Sequence, residues 1–87
     1  MNRFGFSIND IKKIKEYTEK YKHLKVRSIC SHLSSANDKK RDAITQKEFS
    51  IFDQICERFG TKIYKHILNT NGIIRFPQKQ YDAVRLG

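Results

Sequence analysis

The residues best suited to chemistry lie in a short stretch after Gly60, where basic and polar side chains recur at helical spacing. At ~100° per residue, four of them fall on one side of a helix: Lys62, Lys65, His66 and Asn69. Lysine can donate to guanine or to phosphate, and asparagine can pair with adenine in the DNA major groove. This face therefore predicts a DNA contact, and a solvated helix face is the alternative interpretation.

A second set of basic residues is predicted to contact phosphates without reading base sequence. It combines a loop with one face of the first helix: Lys39, Lys40, Arg41, Lys12, Lys15 and Lys22. The chain carries 18 basic and 9 acidic residues, a formal net charge of +9. Because such a surplus attracts polyanions, the sequence indicates an acidic partner.

Patterns typical of catalysis are missing from the 87 residues. There is no glycine-rich phosphate loop, no His-Glu-x-x-His and no pair of Cys-x-x-Cys motifs. The spacings of Cys30, His32 and Cys56 match no common zinc site. Both cysteines lie on apolar stripes and are predicted to be reduced core residues. We therefore expect no enzyme activity, no metal and no cofactor.

Two helices are predicted in the first half of the chain. Ser7 and Asp10 resemble a capping box, which predicts that the first helix begins there and runs to about Lys25. The apolar residues that follow are out of phase with that helix, so we expect a second short helix over residues 26–35. Residues 37–42 include no apolar side chain, which predicts a solvated loop.

Two further helices are predicted in the second half. Thr45 and Glu48 form a capping box for a third helix, and Gly60 is placed to end it in the left-handed conformation. A fourth helix is expected over residues 62–70, with Thr61 as its N-cap. Helices three and four can be compared with a helix-turn-helix because a short turn containing glycine joins them.

The predicted fold is all-α: a compact bundle of about four short helices in one domain, residues 1–87. Residues 73–76 are expected to be a short extended segment, and the tail from about residue 77 is a last helical turn or an irregular end. No apolar stretch approaches the ~20 residues that span a bilayer, and no signal peptide is recognisable. We expect an intracellular protein.

The function predicted from these features is a small nucleic-acid-binding accessory or regulatory protein, with DNA favoured over RNA. The alternative is an inhibitor or adaptor of viral or mobile-element type that docks a basic face on an acidic partner protein. The oligomeric state does not follow from the sequence.

Overall fold

The computed structural model describes residues 5–60 and 62–87. They form an α/β arrangement of three helices and two parallel strands, in the order α1 (Ile11–Lys20), β1 (Ser28–Cys30), α2 (Asp42–Glu57), β2 (Tyr64–His66) and α3 (Thr70–Arg75). Short 3₁₀ turns precede α1, precede α2 and follow α3: Ile8–Asp10, Lys39–Arg41 and Pro77–Lys79. None of the helices within the described ranges is long and apolar enough to cross a membrane.

The sheet is parallel, and a third segment extends it. Ser28, Ile29 and Cys30 of β1 pair with Tyr64, Lys65 and His66 of β2. On the other side of β2, residues 82–85 run parallel to it through a bridge between His66 and Ala83. Backbone hydrogen bonds from Asp82 N to Lys65 O and from Arg85 N to Leu68 O support this segment. All three segments therefore point their carboxyl ends in the same direction.

The core lies between α2, α3 and the ends of the strands. Phe49, Phe52 and Cys56 recur on one face of α2, which is the spacing that buries a helix stripe. The remaining buried members of the cluster come from the loops after the strands and from the end of α3: Leu33, Ala36, Ile67, Leu68 and Phe76.

Arg75, the last residue of α3, joins that helix to the start of α2. Its guanidinium donates to both carboxylate oxygens of Asp42, each at 2.7 Å, and to the carbonyl oxygen of Ala36 at 2.7 Å. Nη2 contacts both oxygens of Asp42 and Nη1 contacts Ala36, so two nitrogens of one planar guanidinium fix its orientation as well as its distance. Arg75 therefore holds α3 in one position against α2.

The predictions of the first and third helices are confirmed, with shifted ends. The Asp10 carboxylate accepts hydrogen bonds from the Ser7 N–H and hydroxyl, each at 3.0 Å. The third predicted helix is α2, but it begins at Asp42, and Thr45 is buried inside it instead of capping it. Gly60 adopts a φ of 88°, the left-handed conformation predicted for the end of this helix.

The all-α prediction is wrong. Residues 26–35 contain β1 instead of a second helix, and residues 62–70 contain β2 instead of a fourth. The comparison with a helix-turn-helix therefore fails, and residues 73–76, predicted as extended, lie mostly in α3. Cys56 is buried as predicted, but Cys30 is exposed. Thr61, the predicted N-cap, lies outside the described residues.

Candidate functional site

The carboxyl ends of the parallel segments are where this fold is expected to place a functional site. In α/β folds, ligands bind beyond the carboxyl ends of parallel strands, where the following loops converge. Here the residues that follow β1, β2 and the bridge at Ala83 meet at one edge of the sheet. We call four of them the strand-end cluster: His32, Thr70, Arg85 and Gly87.

His32 and Arg85 contact each other across this edge. The distance between Arg85 Nη2 and His32 Nδ1 is 3.1 Å, and both side chains are exposed. Because a guanidinium only donates, His32 must accept through an unprotonated Nδ1, which leaves its Nε2 to carry the proton of the neutral ring. The contact holds the cation of Arg85 at the edge of the sheet, and its other N–H donors have no hydrogen-bond partner among the described residues.

Thr70 and Gly87 form a second contact at the same edge. The Thr70 Oγ1 accepts a hydrogen bond from Gly87 N–H at 2.9 Å and lies 3.3 Å from the Gly87 carbonyl oxygen, to which its hydroxyl donates. A hydroxyl, a backbone amide and the guanidinium of Arg85 therefore lie on neighbouring loops. All three are groups that bind oxyanions.

Asp82 sets the register of the segment that carries Arg85. Its backbone N–H donates to the carbonyl oxygen of Lys65 at 3.0 Å, and its carboxylate accepts from the N–H of Lys65 at 2.8 Å. This two-way pairing fixes residue 82 beside β2. Arg85 is consequently held beside Leu68, where its own N–H donates at 3.0 Å.

Tyr81 fixes the start of the same segment against α2. Its ring stacks edge-on against Phe52, with ring centroids 5.3 Å apart, and its hydroxyl donates to Asp53 Oδ1 at 2.5 Å. Lys79 lies 3.5 Å from the other oxygen of Asp53. Burial raises the pKa of the Tyr81 phenol above its ordinary value, and the hydrogen bond to Asp53 raises it further.

The four residues predicted to share a helix face do not share one. Lys65 and His66 are consecutive residues of β2, so their side chains point to opposite faces of the sheet. Among the described residues, the buried Nδ1 of His66 has no hydrogen-bond partner. Lys62 is exposed in the turn before the strand, and Asn69 lies after it, at the N-cap of α3.

The second predicted set is exposed but divided between distant elements. The run from Lys39 to Arg41 is the 3₁₀ turn before α2. Lys12 and Lys15 lie on α1, and Lys22 lies in the turn after it. Lys15 Nζ donates to the carbonyl oxygen of Arg58 at 2.6 Å, so this lysine caps the end of α2.

None of the four members of the strand-end cluster is among the predicted site residues, and Asn69, directly before Thr70, is predicted to contact adenine. His32 was interpreted as a surface or boundary histidine, and Thr70 and Arg85 were not singled out. The signal that could identify them is their position two to four residues after short stretches that pair as strands: His32 after Cys30, Thr70 after His66 and Arg85 after Ala83. Because those stretches were interpreted as helices, their carboxyl ends were not recognised as a site.

Comparison with known proteins identifies the family. The whole chain, residues 1–87, matches the family described as alanine racemase, N-terminal domain. It is 34% identical to alanine racemase 2 of Clostridium acetobutylicum, covering 100% of this chain and 23% of that protein. It is 35% identical to the alanine racemase of Borreliella burgdorferi (strain B31), covering 100% and 24%. The chain thus spans about a quarter of the length of the curated relatives it matches.

Solved structures agree on the fold. The alanine racemase of Bartonella henselae, with covalently bound pyridoxal phosphate, superposes with a TM-score of 0.79 at 22% identity, covering 100% of this chain and 24% of that one. The alanine racemase of Clostridium difficile 630 superposes with a TM-score of 0.74 at 23% identity, covering 100% and 25%. At these identities the likeness shows the fold, which is part of an α/β barrel.

These matches overturn the functional predictions. Neither the nucleic-acid-binding regulator nor the viral or mobile-element adaptor agrees with relatives that are racemases. The prediction of a non-enzymatic protein is wrong for the same reason, as is the prediction of DNA, RNA or an acidic protein as partner.

The parallel strands, the meeting of their carboxyl ends and the match over residues 1–87 lead to one conclusion: the chain belongs to the alanine racemase family, within its N-terminal domain.

Proposed function

We propose that this chain supplies part of the pyridoxal phosphate site of an amino-acid racemase. The observation that carries the proposal is the contact between Arg85 and His32 at the carboxyl edge of the parallel sheet. It places a cation with free donors where α/β barrels bind their ligands. The relative from Bartonella henselae holds covalently bound pyridoxal phosphate, which supports this cofactor for the present chain.

The residues of the strand-end cluster suit the chemistry of that cofactor. Pyridoxal phosphate has a phosphate dianion and a ring nitrogen that accepts hydrogen bonds. The Thr70 hydroxyl, the Gly87 amide and the Arg85 guanidinium are donors, and none of them hydrogen-bonds to an aspartate or glutamate side chain among the described residues. This donor set fits an anionic, acceptor-rich ligand.

Each group would have a limited role. Thr70 and Gly87 would exchange the hydrogen bonds that they make to each other for bonds to the cofactor's oxygens, and Arg85, oriented by His32, would present a fixed positive charge to it. When bound, pyridoxal phosphate supplies an electron sink for the charge left when an amino acid loses its α-proton. The chain's own residues would hold and orient the cofactor, and we assign them no proton-transfer step.

The proposed substrate is a small amino acid. Relatives are named alanine racemases, and a protein of Enterococcus faecalis that is 32% identical over 73 residues is named an amino-acid racemase. That match covers 77% of this chain and 10% of the Enterococcus faecalis protein. Because the chain spans about a quarter of such enzymes, catalysis needs groups that lie elsewhere in the barrel.

Cofactor binding can be tested in a chimera, defined as Clostridium acetobutylicum alanine racemase 2 in which residues 1–87 replace the stretch that matches them. Pyridoxamine 5′-phosphate is a suitable probe because it has no aldehyde to react with exposed lysines. Arg85→Ala should weaken its binding roughly ten- to a hundredfold, since a hydrogen bond to a charged group contributes about 1.5–3 kcal/mol.

The matched control is Arg41→Ala, which removes an equal charge from an exposed turn where the side chain has no hydrogen bond among the described residues. Its affinity should stay within about twofold of the unsubstituted chimera. Equal affinities for the two variants would contradict the proposal.

A further inference from the structure

The Asn69 side chain joins the loop after β1 to the loop after β2. Its Oδ1 accepts a hydrogen bond from Gly72 N–H at 3.0 Å, and its Nδ2 donates to the carbonyl oxygen of Leu33 at 3.3 Å. Leu33 follows His32 directly, and Thr70 follows Asn69 directly. One amide therefore lies between two members of the strand-end cluster.

Packing leaves α3 little freedom to adjust around this amide. A Cβ at Gly72 would lie 2.9 Å from Leu33 Cδ1 and 2.9 Å from Leu68 Cδ2, so the helix backbone packs directly on the loops that follow both strands. Leu33 and Leu68 are themselves fully buried. The two loops are thus packed closely, and the Asn69 side chain is the polar link between them.

The chemistry of this link requires an amide of this length. The Gly72 N–H needs an acceptor and the Leu33 carbonyl needs a donor, and an asparagine supplies both. Aspartate can cap the helix but cannot donate to Leu33. Serine can also cap it but is too short to span the two loops.

We propose that Asn69 is a positioning residue that fixes the separation of the Thr70 hydroxyl and the His32 imidazole, so that the strand-end cluster presents its donors to a phosphate-bearing cofactor in one arrangement. The inference rests on the proposed function for its consequence, though not for the geometry. Asn69 does not need to touch the cofactor.

The test compares Asn69→Asp with Asn71→Asp. Asn71 lies two residues after Asn69, is exposed, and has no side-chain hydrogen bond among the described residues. Asn71→Asp therefore introduces the same charge without breaking a hydrogen bond between the two loops. In the chimera, Asn69→Asp should weaken binding of pyridoxamine 5′-phosphate about fivefold relative to Asn71→Asp, the effect of losing one hydrogen bond.

A second measurement does not depend on the cofactor. The ring nitrogen signals of His32, recorded by NMR in the 87-residue chain, report its contact with Arg85. They should shift in Asn69→Asp and remain unchanged in Asn71→Asp. A wild-type chimera that binds no probe would sink the proposed function, while the His32 signals would still test the position of the ring.

The alternative is that Asn69 only caps α3. In that case Asn69→Asp would change neither the probe affinity nor the His32 signals relative to Asn71→Asp, and this result would overturn the inference. Asn69→Ser retains a cap without a charge and serves as the second variant if Asn69→Asp does not fold. It should reproduce the loss of affinity, and an affinity equal to that of the control would again overturn the inference.

Discussion

Tyr81 shows how one side chain can hold the segment that carries Arg85. Its hydroxyl donates to Asp53 on α2, its ring packs on Phe52, and its own backbone has a φ of 45°, which non-glycine residues rarely adopt. A residue keeps such a conformation only where its surroundings fix it. The contacts with α2 supply that constraint just before the segment turns toward the site.

The raised pKa of Tyr81 predicts a loss of stability at alkaline pH. The folded state holds the phenolic proton more tightly than the unfolded state, so the contribution is complete below the ordinary pKa of 10.0 and falls as the pH rises above it. The free energy of unfolding, measured by urea denaturation, should therefore decrease between about pH 9 and about pH 12. Burial also raises the pKa of Cys56, which acts in the same direction.

Tyr81→Phe separates the contribution of Tyr81 to this loss of stability from that of Cys56. This variant should be less stable by about 1 kcal/mol at neutral pH because it loses one hydrogen bond, and its stability should fall less steeply at high pH. The control is Tyr17→Phe, at an exposed position on α1. An alkaline slope that is the same in Tyr81→Phe as in the control would show that Tyr81 does not contribute to it.

At the scale of elements, the position of α3 depends on Gly72, which has no side chain. Gly72 is buried, and the helix approaches Leu33 and Leu68 so closely that no Cβ fits without movement. The approach places the start of α3, with Asn69 and Thr70, directly beside the end of β1.

Gly72→Ala tests this approach. Crowding two buried leucines costs about 1–3 kcal/mol, and replacing glycine by alanine within a helix returns up to about 1 kcal/mol. We expect a net decrease of about 1 kcal/mol in the free energy of unfolding, measured by urea denaturation. Asn71→Ala, on the exposed face of the same helix, should not destabilise the chain, and the space at residue 72 would be larger than described if both variants behaved alike.

The elements that could be predicted from the sequence are those whose signals are local. The Ser7 and Asp10 pair, the apolar stripe of α2 and the left-handed Gly60 each depend on residues a few positions apart. The strands could not be found in this way because Ser28 pairs with Tyr64, far along the chain, and each strand has only three residues. The apolar residues around β2 recur at helical spacing although they do not form a helix: Ile63, Tyr64, Ile67 and Leu68. The spacing arises because two buried residues follow β2 closely and α3 comes next.

The strand-end cluster could not be predicted from the sequence either, because its contacts also join residues that are far apart in the chain. Arg85 and His32 meet only because two parallel segments end at the same edge, and neither residue lies in a motif that indicates chemistry by itself. Asn69 was selected for its amide, which in the structure is occupied by Leu33 and Gly72.

At the scale of the whole molecule, the net charge of +9 does not indicate the function, although it predicts a polyanionic partner. The lysines and arginines predicted to bind phosphates or DNA are spread over α1 and the turn after it, the turn before α2, the turn before β2 and β2 itself, and none of them is a member of the strand-end cluster. The proposed function rests instead on a few groups at one edge of a parallel sheet. The family and its fold follow from the match over residues 1–87.

The central claim is that the strand-end cluster belongs to the cofactor site of an amino-acid racemase. The most direct measurement is the conversion of L-alanine to D-alanine by the chimera, with and without Arg85→Ala. We expect conversion by the chimera, a rate at least about tenfold lower in Arg85→Ala, and an unchanged rate in Arg41→Ala. A chimera that holds pyridoxal phosphate but converts no L-alanine, or an Arg85→Ala rate equal to that of Arg41→Ala, would contradict it.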